Sequence, residues 1–139
     1  MRNLLRIKFF LLLVALFFSS SAHAEDVDLY AERDSLMAVI EELPNDSARL
    51  QKIRDEIEDF IDRAWALEVI NYGLKLAESN KKQREEFALL CVRARLAANF
   101  CDWKRVKEYL KPIRKKASDY KCFDIYASAM YAIGVTASN

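Results

Sequence analysis

Carboxylates are the side chains this sequence offers most readily for catalysis. Asp55-Glu56-Ile57-Glu58-Asp59 is a dense acidic run, and Glu85 and Glu86 are adjacent. Two acids at a suitable separation can hydrolyse a glycoside, one as the acid and the other as base or nucleophile. The same runs are also what a solvated helix face looks like, and that is the expectation here. Much of what other enzymes use is missing. The one histidine, His23, stands in a segment expected to be removed. Without it there is no Ser-His-Asp or Cys-His nucleophile and no histidine-based metal motif. Gly73 and Gly134 alone cannot build a phosphate loop or a dinucleotide turn. Cys91, Cys101 and Cys122 contain no C-x-x-C pair, which leaves no thiolate zinc or redox motif. Cys91 and Cys101 are about 15 Å apart along a helix, too far to bridge. A Cys101–Cys122 bridge stays open beside simple burial. The expectation is no catalytic residue, no metal, no cofactor and no enzyme.

The segment carrying His23 has the three parts of a secretory signal, in order. Arg2, Arg6 and Lys8 form a positive start, Phe9 to Phe18 is an apolar run, and Ala22-His23-Ala24 is a cleavage site. The apolar run is far short of the ~20 residues a membrane span needs. Residues 1–24 are therefore expected to direct export and 25–139 to form the mature domain, periplasmic or secreted. Contact with the membrane is expected only through export or a longer parent protein.

Charge narrows the partners. The chain has 22 Lys and Arg against 21 Asp and Glu. Removing Arg2, Arg6 and Lys8 leaves 19 against 21, about −2 for the mature chain. No global basic excess points to nucleic acid. One local excess exists: Lys104, Arg105, Lys107, Lys111, Arg114, Lys115 and Lys116, with Trp103 and Tyr109 among them. It can be an anion-binding face, or a solvated outer face with counter-charges on neighbouring helices.

The elements behind these residues are helices. Glycine and proline are scarce, with two of each, and Ala, Leu, Glu, Lys and Arg dominate, which disfavours an all-β fold. Apolar residues recur at three- and four-residue steps over Asp26–Leu43, Ala48–Ile61, Ala64–Ser79, Gln83–Asn99 and Asp102–Ala117. A last helix is expected over Cys122–Val135. Leu43-Pro44-Asn45-Asp46-Ser47 should stop the first, with Asp46 or Ser47 capping the next. Pro112 should kink the fifth or loosen its first half. The link Asn99-Phe100-Cys101-Asp102-Trp103 is short enough to make its flanking helices antiparallel neighbours.

The helix from Ala66 and the one forty residues later from Val106 resemble the second helices of tetratricopeptide repeats. Asp102-Trp103-Lys104-Arg105-Val106 is similar to that family's turn, with Cys101 where a glycine is usual. Ala66 and Val106 match a small packing position, Gly73 and Ile113 the next, and Ala94 the one in the first helix. Close helix approach is the physical reason for small residues there. The resemblance implies an all-α fold of antiparallel helical hairpins, stacked as a short tetratricopeptide-like α-solenoid. Its hairpins would be about 46–79 and 83–117, with an incomplete third unit over 122–137. With Leu43-Pro44-Asn45-Asp46-Ser47-Ala48-Arg49 upstream, the arrangement is similar to extracytoplasmic sensor regions of bacterial signalling proteins. It implies protein or peptide binding in a groove lined by the first helices, where Cys91, Arg95 and Asn99 share a stripe. Arg95 and Asn99 would hold a peptide carboxylate or backbone, and a structural ion pair for Arg95 is the competing role.

Phe123 to Val135 is apolar on nearly all sides, and such a helix calls for burial on nearly all sides. Three readings compete: the first helix of a hairpin whose second helix belongs to a longer chain, an interface with a second copy or a partner through Tyr126, Met130 and Ile133, or cover by the N-terminal helix. The alternative function is thus a self-associating structural or adaptor module, a homodimer in the simplest case.

Overall fold

The structure is a computed structural model that describes residues 30–138. The expected export segment and the start of the first helix lie outside those residues. The chain divides after Leu36 into two units, and Met37 onward carries all the hairpins. Residues 30–42 are helical (α1). There follow α2 (Asp46–Ile57), a 3₁₀ turn (Glu58–Phe60), α3 (Ala66–Ser79), α4 (Gln83–Asn99), α5 (Trp103–Asp119) and α6 (Phe123–Ser138). No strand occurs among the described residues. The fold is all-α, a stack of antiparallel hairpins: α2 packs on α3, α4 on α3 and α5, and α6 on α4 and, less extensively, α5.

Three turns of one design set this stack. After α3, α4 and α5 the chain passes through Lys81, Cys101 and Lys121, each with φ between 53° and 55°. The N–H of Lys82 donates to the carbonyl of Ala77 (2.8 Å), Asp102 to Ala97 (2.9 Å) and Cys122 to Ala117 (3.0 Å). This is the Schellman closure, in which a left-handed residue lets the chain satisfy the helix's last carbonyls and reverse. Cys101 occupies the position where glycine was expected. The three turns recur every twenty residues, which gives the forty-residue hairpin period read from Ala66 and Val106.

The positions that the resemblance marks for close packing are buried: Ala66, Ala94, Val106 and Ile113 are nearly inaccessible. Gly73 marks the closest approach. A Cβ there would stand 2.8 Å from Leu89 Cδ1 of α4 and 3.3 Å from Ile53 Cδ1 of α2. One larger core joins Phe87, Leu90 and Ala94 of α4 to Val106 and Ile113 of α5 and to Ala129 and Ile133 of α6.

Some boundaries differ from expectation. Asn45, in an extended conformation, caps α2 by accepting from the Ala48 N–H (2.9 Å). Asp46 instead receives Arg49 and Asn80, so the cap falls one residue earlier than the sequence suggested. The end of α2 tightens into the 3₁₀ turn, where Phe60 meets Trp65 with ring centroids 4.9 Å apart. α5 runs unbroken through Pro112. The proline lies on the exposed face, where the carbonyl it leaves without a partner can turn to water.

Candidate functional site

The first helices of the two hairpins, α2 and α4, share one hollow of roughly 410 Å³ with α6. Its apolar part comes from Ile57 of α2, Leu89 and Val92 of α4, and Ile125 and Ala129 of α6. Polar side chains rim it in four-residue steps: Arg54 and Glu58 on the first hairpin, Cys91 and Arg95 on α4, Asp124 and Ser128 on α6. Residues four apart share a helix face, so each of these helices contributes one such pair to one wall.

Ion pairs engage half of the rim. Arg95 reaches Glu58 across 2.7 Å, and Arg84 reaches Asp124 across 2.6 Å. The hydrogen bond from Arg84 holds the Asp124 carboxyl below its ordinary value, and the same contact raises the Arg84 guanidinium. Arg54 has no ion-pair partner among the described residues and also borders a second, polar hollow with Lys82 and Glu85. At the wall between α4 and α6, burial pushes the Cys91 thiol up to about 12, with the nearby Cys122 adding to the shift. Cys91 is therefore a neutral thiol at physiological pH.

The structure thus brings two of the three anticipated groove residues together. Cys91 is almost fully buried at the hollow. Arg95 lies at the rim, engaged by Glu58. Asn99 stands two helical turns beyond Cys91 and outside the hollow, donating to the Ile61 carbonyl (3.3 Å). Arg54, Glu58, Asp124 and Ser128 were not anticipated. A usable signal was the four-residue pairing of polar residues beside the apolar stripe of each of these helices.

The other anticipated features fall elsewhere. Tyr126 and Met130 are half-buried against the larger core, and Ile133 is a buried member of it. The open side of α6 is formed by Phe123, Tyr131 and Val135, which are 60%, 77% and 46% exposed. On α5 the basic residues from Lys104 to Lys115 face solvent. Lys116 turns back to Glu86 and Tyr120. Burial lowers the pKa of Lys116, but those two hydrogen bonds outweigh it and raise the value. The three cysteines are free thiols, with Cys91 and Cys122 buried and Cys101 exposed. Among the described residues no group of acids and thiols is placed to hold a metal, and no helix is long and apolar enough to cross a membrane.

Comparison with protein-family models, with curated proteins and with solved structures gives no match.

Proposed function

We propose that this chain is an exported, tetratricopeptide-like module that binds a protein or peptide segment in the hollow between α2, α4 and α6. The observation that carries this reading is the shared wall: α2 and α4, the first helices of the two hairpins, line one hollow together with α6, with an apolar floor and a charged rim. An extended segment fits such a surface by placing apolar side chains on the floor and its backbone or polar groups on the rim. Arg54 supplies an uncommitted donor for an acidic group, whereas Arg95 is already held by Glu58. The resemblance to extracytoplasmic sensor regions supports a role as the input part of a bacterial signalling protein. The export-type segment at residues 1–24 supports a periplasmic or secreted location.

The test is to pan a random peptide library against the purified full chain and measure the enriched peptides by calorimetry. Ser128→Arg fills the hollow from an exposed position and should abolish binding with the helical dichroism unchanged. Lys104→Glu, on the outer face of α5, should leave it intact. Failure to enrich any sequence, or peptides indifferent to Ser128→Arg, would refute groove binding.

A further inference from the structure

The most exposed apolar surface of the second unit is the side of α6 turned away from the core, and three observations indicate what it takes. The first is register. α6 follows α4 by forty residues through the same turn, so Ala127 and Gly134 stand where α4 has Phe87 and Ala94. On α4 those positions are buried together with Val106 and Ile113 of α5. On α6 they are exposed, and a Cβ added at Gly134 would meet nothing within 4 Å. That side of α6 therefore has the register at which an antiparallel helix packs on α4.

The second observation is chemical. Apart from the Tyr131 hydroxyl, the face asks for no polar partner. Thr136 and Ser138 return their hydroxyls to the carbonyls of Ala132 and Gly134 (3.1 and 2.9 Å). Asp124, the acid in the first turn of α6, is engaged by Arg84. The basic face of α5 would repel its own copy, and α6 carries nothing that does.

The third is self-complementarity. Phe123, Ala127, Tyr131 and Val135 form one stripe at four-residue steps. Laid antiparallel on itself about a two-fold axis near residue 129, the stripe sets Phe123 opposite Val135 of the second copy and Ala127 opposite Tyr131. Each level then pairs a larger side chain with a smaller one, as ridges and grooves require, and the helix dipoles oppose favourably. We infer that the open face of α6 binds the same face of a second copy of this chain, as an isologous two-fold dimer. Aromatic side chains bury roughly 200 Å² each. At 60% and 77% exposure the two rings and their small neighbours offer about 400 Å² per copy, the size of a weak, concentration-dependent contact. The inference is independent of what the groove binds.

Sedimentation equilibrium of the full chain across the micromolar range tests it. The expected result is a monomer–dimer equilibrium that Tyr131→Glu and, separately, Val135→Lys move to monomer at every concentration, with unchanged circular dichroism. Trp103→Glu, which removes an exposed aromatic from α5, should leave the dimer in place. A monomer at all concentrations would overturn the inference and assign the face to a different helix. So would aggregation without defined stoichiometry, or a dimer indifferent to both α6 substitutions.

Discussion

Replacing Cys101 by glycine should make this protein more stable. Cys101 holds φ at 55°, where an L-residue costs roughly 1–2 kcal/mol through contact of its Cβ with the neighbouring carbonyl. Glycine avoids that contact and loses about 0.5–1 kcal/mol to its larger freedom in the unfolded chain. The balance is a gain of about 0.5–1 kcal/mol. Nothing else is forfeited, because the Cys101 thiol is exposed and free. Lys81 and Lys121 share the conformation, but each places a cation at a helix C-terminus, worth roughly 0.3–1 kcal/mol. Glycine there should therefore gain little, and Cys101→Gly should rank first. The three turns share no partner, so their effects should add. Urea unfolding reads the result as a higher midpoint with an unchanged slope. Cys101→Ala is the control: it removes the thiol, keeps the Cβ, and should give no gain. Equal gains from alanine and glycine, or a loss with glycine, would refute the backbone account.

Gly73→Ala should go the other way despite alanine's helix propensity. Its Cβ would meet Leu89 Cδ1 at 2.8 Å, and overpacking of roughly 1–3 kcal/mol exceeds a propensity gain near 1 kcal/mol. A net loss of about 1 kcal/mol is expected in thermal or urea unfolding, partly relieved when Leu89→Val removes the obstructing methyl; a stabilised Gly73→Ala would deny the close approach of α3 and α4. Acid should weaken the joint between α4 and α6. The Asp124 carboxyl is held below its ordinary 3.8, so its contribution is present above that value and lost as pH falls through the lower, folded one. Both partners are exposed, so the effect is small; melts of the wild type and Asp124→Asn should converge in that acid range, and parallel curves would dismiss the linkage.

The hairpin around Asn99–Trp103 was legible because Asp102 and Trp103 announce a helix start and two clean apolar stripes flank it. The polar breaks Ser79-Asn80-Lys81-Lys82 and Ser118-Asp119-Tyr120-Lys121 were legible as turns, but not the backbone at Lys81 and Lys121. Lysine carries no preference for positive φ, and only the twenty-residue spacing relates them to Cys101. The inward side of α6 was not legible for a different reason. Where almost every residue is apolar, periodicity cannot choose a face. Packing on α4 and α5 chose Ala129 and Ile133 for the interior and left Tyr131 outside. Only two residues of the groove's rim were readable in the same limited way. Cys91 and Arg95 followed from the repeat resemblance, but Arg54 and Asp124 join them only through the stacking register of helices distant in sequence.

α6 belongs to both surfaces described above. Asp124, Ile125, Ser128 and Ala129 face the groove, while Phe123, Tyr131 and Val135 face outward. The helix is anchored mainly on α4, with less support from α5, and its outer side is open. A second copy seated on its outer face would hold it, and a peptide in the groove would press on the opposite side. Two events that order the same element are coupled, and the coupling is reciprocal. If both surfaces are used, peptides selected on the groove should bind more tightly at protein concentrations where the dimer forms. They should also lower the concentration at which it forms. Tyr131→Glu should remove the concentration dependence without abolishing binding. A peptide affinity that is flat across the monomer–dimer transition would mean that α6 is already rigid, and that the two surfaces work independently.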